Sequence, residues 1–299
     1  MKQLVILSGK GGTGKTTVTA ALAHLAAQDY RVVLADADVD AANLGLVLAP
    51  VAAETHDFTG GRIAVVDPAV CVACGRCTEV CRFDAVWAGG TYRVDPLACE
   101  GCAACVYECP TGAIAMQPQR AGQWFVAATR YGPLYHAHLF AGQENSGKLV
   151  TLVKQMARLR GFDDEADLLL VDGPPGIGCP VIAALSGADL ALIVTEPTVS
   201  GAHDLERALR LTTHFNIPAA VLLNKADLSP VQAEAIAAYC AANAIPLVGR
   251  LPYDPVVTEA MVRGEPVTMT PGPVADALRE AWDAIKARIT NNNRRQLSG

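Results

Sequence analysis

The stretch Gly9-Lys10-Gly11-Gly12-Thr13-Gly14-Lys15-Thr16 limits this chain more than any other feature. It follows the apolar run QLVIL at 3–7 and precedes KTTVTAALAHLAAQ, where apolar residues recur with helical spacing. Strand, glycine-rich loop and helix in that order make a phosphate-binding unit at the end of a parallel sheet. The alternation continues. RVVLADAD, DLLLVDGPPG, ADLALIVTEP, AAVLLNKAD and IPLVGRLP read as strands, and HDLERALRLTTHF and PVQAEAIAAYCAAN as helices. Strands so uniformly apolar, separated by helices, predict an α/β fold with a doubly wound, mostly parallel sheet covered on both faces. A chain of 299 residues that is 51% hydrophobic and 18% charged has ample material for that core.

The loop chemistry follows from its residue types. Gly9, Gly11, Gly12 and Gly14 let backbone N–H groups approach phosphate oxygens without a Cβ in the way, and Thr13 belongs to the same nucleotide-binding run. Lys15 neutralises the β- and γ-phosphates, Thr16 ligates Mg2+, and Thr17 continues the nucleotide-binding run into the helix N-terminus. Lys10 starts at the wrong end of the loop to duplicate Lys15. In its own monomer it is a solvated or redundant charge, and across a dimer interface it reaches the partner's phosphates. Asp36 and Asp38, in LADADVDAANLG, lie at a strand's carboxyl end, where ligands bind in such sheets. Asp172 follows the apolar LLLV. Each aspartate reads either as a turn or cap residue or as part of the metal and water machinery.

The GKGGTGKT loop resembles the deviant Walker A motif of the MinD/Mrp/ParA superfamily, a distant relative of which is the nitrogenase iron protein. The resemblance implies a P-loop ATPase in which two subunits sandwich two ATP molecules, with Lys10 as the signature lysine acting in the manner of an arginine finger. It implies that Asp38 orients the attacking water, that Asp172 holds an Mg2+-bound water, and that 173–176 form a switch loop. NKAD at 224–227 resembles a base-reading loop. Asn-Lys-x-Asp selects guanine in GTPases, whereas in the MinD-like group the matching asparagine, here Asn224, contacts adenine, with Pro252 of LPYDP flanking the base. ATP is the favoured nucleotide, with Asp227 keeping the guanine pattern open.

Between residues 60 and 120 the strand–helix alternation breaks, and eight of the ten cysteines fall there in two runs: Cys71, Cys74, Cys77, Cys81 and Cys99, Cys102, Cys105, Cys109. Cys-x2-Cys-x2-Cys-x3-Cys is the spacing with which bacterial ferredoxins hold [4Fe-4S] clusters, the fourth cysteine serving the other cluster. The resemblance implies two clusters, one on Cys71, Cys74, Cys77 and Cys109 and one on Cys99, Cys102, Cys105 and Cys81. Pro110 follows the second run as in ferredoxins; Arg82 stands in its place after the first. A disulfide framework needs an oxidising compartment, while this chain opens directly on a strand and nucleotide loop with no signal peptide, and structural zinc uses two pairs of cysteines. The expectation is a discontinuous ATPase domain, 1–59 and 121–299, with a small α+β ferredoxin-like domain inserted at 60–120. Within that domain DAVWAGGTYRVD supplies short strands; beyond it WFVAATR and the helical NSGKLVTLVKQMARL return to the main domain.

A net charge of −6 with scattered Lys and Arg argues against a nucleic-acid partner. No apolar run reaches the ~18 residues of a membrane span, and the tail TNNNRRQLSG lacks an amphipathic face, so a cytoplasmic protein without membrane insertion is expected. Cys240 reads as a buried apolar residue. Cys179, seven residues after Asp172, reads as a loop thiol or a bridging ligand, and His24, His136 and His138 have no partner suggesting catalysis. Three functions remain: an ATP-gated electron-transfer protein with a redox partner, an Mrp-like cluster carrier, and a MinD-like positioning module.

Overall fold

The computed structural model describes residues 1–143 and 146–296. In chain order its elements are β1 (Lys2–Ser8), α1 (Lys15–Ala26), β2 (Val32–Asp36), α2 (Leu44–Leu48), β3 (Ala52–Val66), α3 (Arg76–Val80), β4 (Val86–Gly89) and β5 (Thr91–Val94). There follow α4 (Ala104–Tyr107), β6 (Ile114–Thr129), β7 (Gly132–Leu139), α5 (Ser146–Asp163), β8 (Leu168–Pro175), α6 (Cys179–Leu185) and β9 (Leu190–Thr195). The chain continues through α7 (Val199–His214), β10 (Ala219–Leu223), α8 (Pro230–Ala242), β11 (Leu247–Arg250), α9 (Val256–Val262) and α10 (Pro273–Gln296). The expected helix start at Asn145 and the chain's last three residues lie outside the described residues.

Two compact units emerge: Met1–Thr55 with Trp124–His138 and Ser146–Gly299, and His56–Gln123 with Leu139–Asn145. The second is broader than the expected 60–120 because its edges fall inside two long strands, β3 and β6. Their polar, glycine-bearing sequences hide them from a reading that looks for apolar strands.

The first unit is built on a sheet ordered β11-β10-β9-β1-β8-β2-β7-β6-β3. From β11 to β7 each neighbouring pair is parallel. Strands β2 and β9 are buried along their whole length, as a sheet covered on both faces requires. One core cluster joins Leu4, Ile6, Leu34, Leu170 and Leu192 of the sheet to Leu22 of α1 and Leu278 and Trp282 of α10. Another sets α7 and α8 against β9 and β10, and Cys240 is buried in it as expected. Parallel alignment brings the carboxyl ends of β1, β2, β8, β9 and β10 to one edge, and the loops there carry the glycine-rich loop, Asp36, Asp38, Asp172, Glu196 and Asn224.

Lys154 of α5 is buried, and its ammonium donates to the carbonyls of Ala183, Ala184 and Ser186 at 3.0, 2.6 and 2.7 Å. All three of its donors are used. They satisfy carbonyls at the end of α6 that have no partner within that helix, and the cation meets the negative end of the helix dipole.

The second unit has little apolar material. Its core is Ala64, Cys77, Val86, Cys105 and Ile114, with Cys81, Cys99 and Cys109 partly buried around them. β4 and β5 form an antiparallel hairpin. Each cysteine run wraps into a loop and a short helix in which the third cysteine is buried, Cys77 in α3 and Cys105 in α4. The two loops repeat one backbone pattern, with positive φ at Ala73 and Gly75 in the first and at the matching Gly101 and Ala103 in the second.

Candidate nucleotide site and cysteine cavities

Gly14 caps α1 in the left-handed region at φ 88°. A Cβ there would stand 2.3 Å from the Asn224 amide nitrogen. Only glycine admits that approach. The Asn224 side chain donates to the carbonyl of Thr13 at 2.9 Å and accepts from the backbone N–H of Lys225 at 3.0 Å. Asn224 therefore fastens the phosphate loop to the end of β10, a role that the expectation of a base contact did not include. At the other end of the loop, a Cβ on Gly9 would meet Asp204 Cβ of α7 at 2.3 Å. The middle is open: a Cβ on Gly11 or Gly12 would have nothing within 4 Å. Thr13 Oγ1 is buried in the loop without a hydrogen-bond partner among the described residues.

Behind the loop, charges converge on Asp172, which is fully buried within β8. Lys15 Nζ and Thr19 Oγ1 each donate to Asp172 Oδ1 at 2.9 Å, and Thr16 Oγ1 donates to Oδ2 at 2.7 Å. Asp38 Oδ2 lies 3.7 Å from the same ammonium. Burial works against the Lys15 charge, yet attraction to Asp172, aided by Asp36 and Asp38, raises its pKa. Burial pushes Asp38 upward as well, opposed by Lys15. Asp36 is not merely a neighbouring acid. It is fully buried and accepts from the backbone N–H groups of Asp38 at 3.1 Å and Leu44 at 2.9 Å, so it shapes the loop that presents Asp38. Burial, with Asp172 beside it, pushes its pKa up to about 8.

Lys10 is neither free nor over its own loop. Its ammonium donates to Ser200 Oγ at 3.2 Å and lies 3.8 Å from Glu196 Oε2. Glu196 also accepts from Lys225 Nζ at 2.6 Å. Thr17 Oγ1 donates to Met261 Sδ at 3.4 Å. Pro252 lies in a loop tied to NKAD, where Ala226 N–H donates to the Leu251 carbonyl at 2.8 Å and Tyr253 N–H to Asp227 Oδ1 at 2.7 Å.

In the second unit the cysteines group across the two runs. Cys71, Cys74, Cys77 and Cys109 line one cavity, with Gly75, Arg76, Tyr92 and Thr111 among its other walls. Cys81, Cys99, Cys102 and Cys105 line another, with Phe83, Val86, Val94 and Glu100. None of the ten cysteines is paired in a disulfide. Among the described residues no three Cys, His, Asp or Glu converge where a single metal ion could sit, so the thiols surround their cavities and do not form a mononuclear centre. Burial raises the Cys77 and Cys105 thiols. At Cys109 a burial penalty is outweighed by the N–H groups of Thr111, Ala113 and Gly112 and the Thr111 hydroxyl, which together hold the thiol below its ordinary value. Cys179 stands exposed at the start of α6 and lines neither cavity. His24 bonds Thr268 Oγ1 at 2.8 Å and His136 stacks on Phe125.

Residues 4–267 match the CobQ/CobB/MinD/ParA nucleotide binding domain. The chain belongs to this family. An uncharacterised protein of Methanocaldococcus jannaschii is 31% identical over 229 residues, 77% of this chain and 80% of its own length. The septum site-determining protein MinD of Synechocystis is 26% identical over 271 residues, 89% of this chain and 81% of its own. Among solved structures, MinD of Pyrococcus horikoshii complexed with Mg-ADP shares the fold with a TM-score of 0.57 and 19% identity over 95% of each chain. A Cyanothece McdA variant in complex with ATP does so with a TM-score of 0.58 and 20% identity, covering 97% of this chain and 96% of that one.

As a P-loop nucleotide-binding protein of the MinD/ParA family, the chain uses several residues that its motifs do not announce. Thr19 looks like any helix residue, yet its hydroxyl braces Asp172. Glu196 follows β9 by one position, where an acid before a proline carries no recognisable signature; only packing reveals that it holds Lys10 and Lys225.

Proposed function

We propose that the protein binds and hydrolyses ATP as a homodimer and couples its nucleotide state to electron transfer through two [4Fe-4S] clusters, to a redox or iron-sulfur partner. The observation that carries this reading is the sorting of eight thiols into two four-cysteine cavities, each borrowing its fourth member from the other run. A cubane carries its thiolates on four separate irons, and donors that ring a cavity without meeting at one point suit it. Positive φ at alternating positions turns backbone N–H groups inward, the kind of nest found at many iron-sulfur sites. When bound, each cluster supplies one-electron storage and transfer. Cys71, Cys74, Cys77 and Cys109 would hold one, and Cys99, Cys102, Cys105 and Cys81 the other. Eight free thiols also favour work in a reducing cytoplasm.

ATP is preferred to GTP on the resemblance to the MinD-like loop, whose asparagine matches Asn224; Asp227 Oδ1 accepts from Tyr253 N–H and helps close the loop carrying Pro252. Lys15 and the open backbone of 11–14 bind the phosphates, and Thr16 and Asp172 supply the hard oxygen donors that Mg2+ takes. The MinD and McdA relatives that hold Mg-ADP and ATP support the same assignment. Asp38, presented by Asp36, orients the attacking water. Lys10 leaves Glu196 and Ser200 to reach the partner subunit's phosphates, where it stabilises the charge of the transition state.

Exposure of Cys74 and Cys102 favours a second reading, in which clusters are handed on to acceptors. A MinD-like positioning role rests on the relatives alone; no helix among the described residues is long and apolar enough to cross a membrane. The test is anaerobic purification, iron and acid-labile sulfide counts, and then electron delivery to an acceptor dye with and without ATP. Delivery that requires ATP supports gating. Loss of iron to an apo-acceptor protein favours the carrier, and an ATPase rate and dye reduction indifferent to one another would defeat the coupling.

A further inference from the structure

The two cysteine cavities have the same backbone but not the same charge. Superimposing the runs by spacing pairs Val72 with Glu100, Arg76 with Ala104, and Phe83 with Thr111. Because the fourth cysteine crosses over, these differences sort by cavity. Arg76 and Thr111 line the cavity of Cys71, Cys74, Cys77 and Cys109, whereas Glu100 and Phe83 line that of Cys81, Cys99, Cys102 and Cys105. The first thus has a guanidinium and a hydroxyl where the second has an alanine and a phenyl ring; the second has a carboxylate where the first has a valine. Thr111 Oγ1 lies 3.8 Å from Cys109 Sγ, a contact that Phe83 cannot offer Cys81. Two further charges flank the fourth ligands, Glu108 before Cys109 and Arg82 after Cys81. Both are exposed, as Glu100 is, but neither lines a cavity, so they stand outside the difference between the two sets of walls.

Adding an electron to a cluster adds negative charge. A neighbouring cation and hydrogen bonds to the ligand sulfurs favour the reduced form, and a neighbouring carboxylate disfavours it. Both differences act in one direction. Resting on the iron-sulfur reading above, we propose that the cavities are unequal by construction, so that the cluster on Cys71, Cys74, Cys77 and Cys109 has the higher reduction potential and holds the first electron given to the protein. The electron comes from a low-potential one-electron donor, which is oxidised as the protein gains one negative charge. No bond is made or broken. The protein then has a direction. An electron entering on the side of Cys81, Cys99, Cys102 and Cys105 would pass downhill to the side of Cys71, Cys74, Cys77 and Cys109, and the residues beside Arg76 would then mark the point of delivery.

The test uses the full chain purified without oxygen, with iron and sulfide at about eight each, two cubanes of four. A dithionite titration followed by electron paramagnetic resonance should show two separate one-electron steps. Arg76→Gln should lower the upper step and leave the lower one in place, changing the reduced-to-oxidised ratio at a fixed potential at least threefold, about 30 mV for a one-electron couple at 59 mV per tenfold. Arg76→Lys should restore most of it. Glu100→Gln should raise the lower step alone. Coincident steps in the native protein overturn the proposal, as does either substitution moving both steps equally or the wrong one. A chain that holds no iron and sulfide after reconstitution removes the iron-sulfur reading itself, which the counts distinguish from equal potentials. Because Arg76 and Glu100 are exposed, iron content and the ATPase rate check that the variants fold.

Discussion

Around Lys15 the backbone is already held in place by the protein's own groups: Asp172 ties down Lys15, Thr16 and Thr19, Asn224 ties the loop, and a large apolar core lies behind them. Around Cys77 and Cys105, among the described residues, the buried cluster is small, and two of its five members are the thiols themselves. The first region is a finished scaffold to which a ligand is added. On the iron-sulfur proposal, the second is one in which the ligand would be a structural member, as in small domains whose cores are too small to stand without a staple. Fold and guest are separable in one case and not in the other.

The sharpest way to break this comparison is to strip the iron. The cysteine unit should then lose on the order of 10 kcal/mol of stability, by analogy with small metal-organised domains, while the nucleotide unit keeps its amide-exchange protection. Equal protection of 56–123 with and without iron would show that the unit stands by itself. Next in size, Lys15→Ala should cut ATP hydrolysis roughly 10²- to 10³-fold, as when one transition-state donor is removed, with iron content unchanged; a variant that also loses iron would merge the two regions.

pH sharpens the comparison from the other side. Asp36 has a folded-state pKa of about 8, raised first by burial and then by Asp172, so the native protein holds this proton more tightly than the unfolded chain does. Its contribution is complete below about pH 4 and is lost as pH rises toward 8, on the order of a few kcal/mol in the nucleotide-free protein. Urea midpoints of the native protein should fall across that window, and Asp36→Asn should flatten the slope. Smaller again, Asn224→Ala should cost about 1–3 kcal/mol by leaving the Thr13 carbonyl and Lys225 N–H unpaired, read in the same urea series. Glu196→Gln is the smallest. Freeing Lys10 from a partly exposed pair is worth up to about 1 kcal/mol, a shift of no more than about fivefold in the protein concentration at which ATP drives dimerisation.

The features legible in the sequence are those that depend on spacing along one segment. The glycine loop, the strand that carries Asp172 and the two cysteine runs each have their geometry fixed by a few consecutive backbone torsions. Features made by segments meeting were not legible. Glu196 and Lys10 come from different loops, and nothing local marks them as partners. The motif matches Asn224 to the base and says nothing of its bond to the phosphate loop, which depends on the space that Gly14 leaves for its amide. β3 and β6 escaped because their outward positions are polar and their glycines break the alternation. Asp36 looked secondary to Asp38 because sequence distinguishes two acids two residues apart only weakly; burial separates them into an anchor and a presented group.

Lys154 has a mechanical consequence. By gripping three carbonyls at the far end of α6, it nails down the downstream end of the segment that begins at Gly173. Any displacement of that segment when a γ-phosphate arrives or departs has a fixed fulcrum at the far end of the short helix, so the helix can swing but not slide.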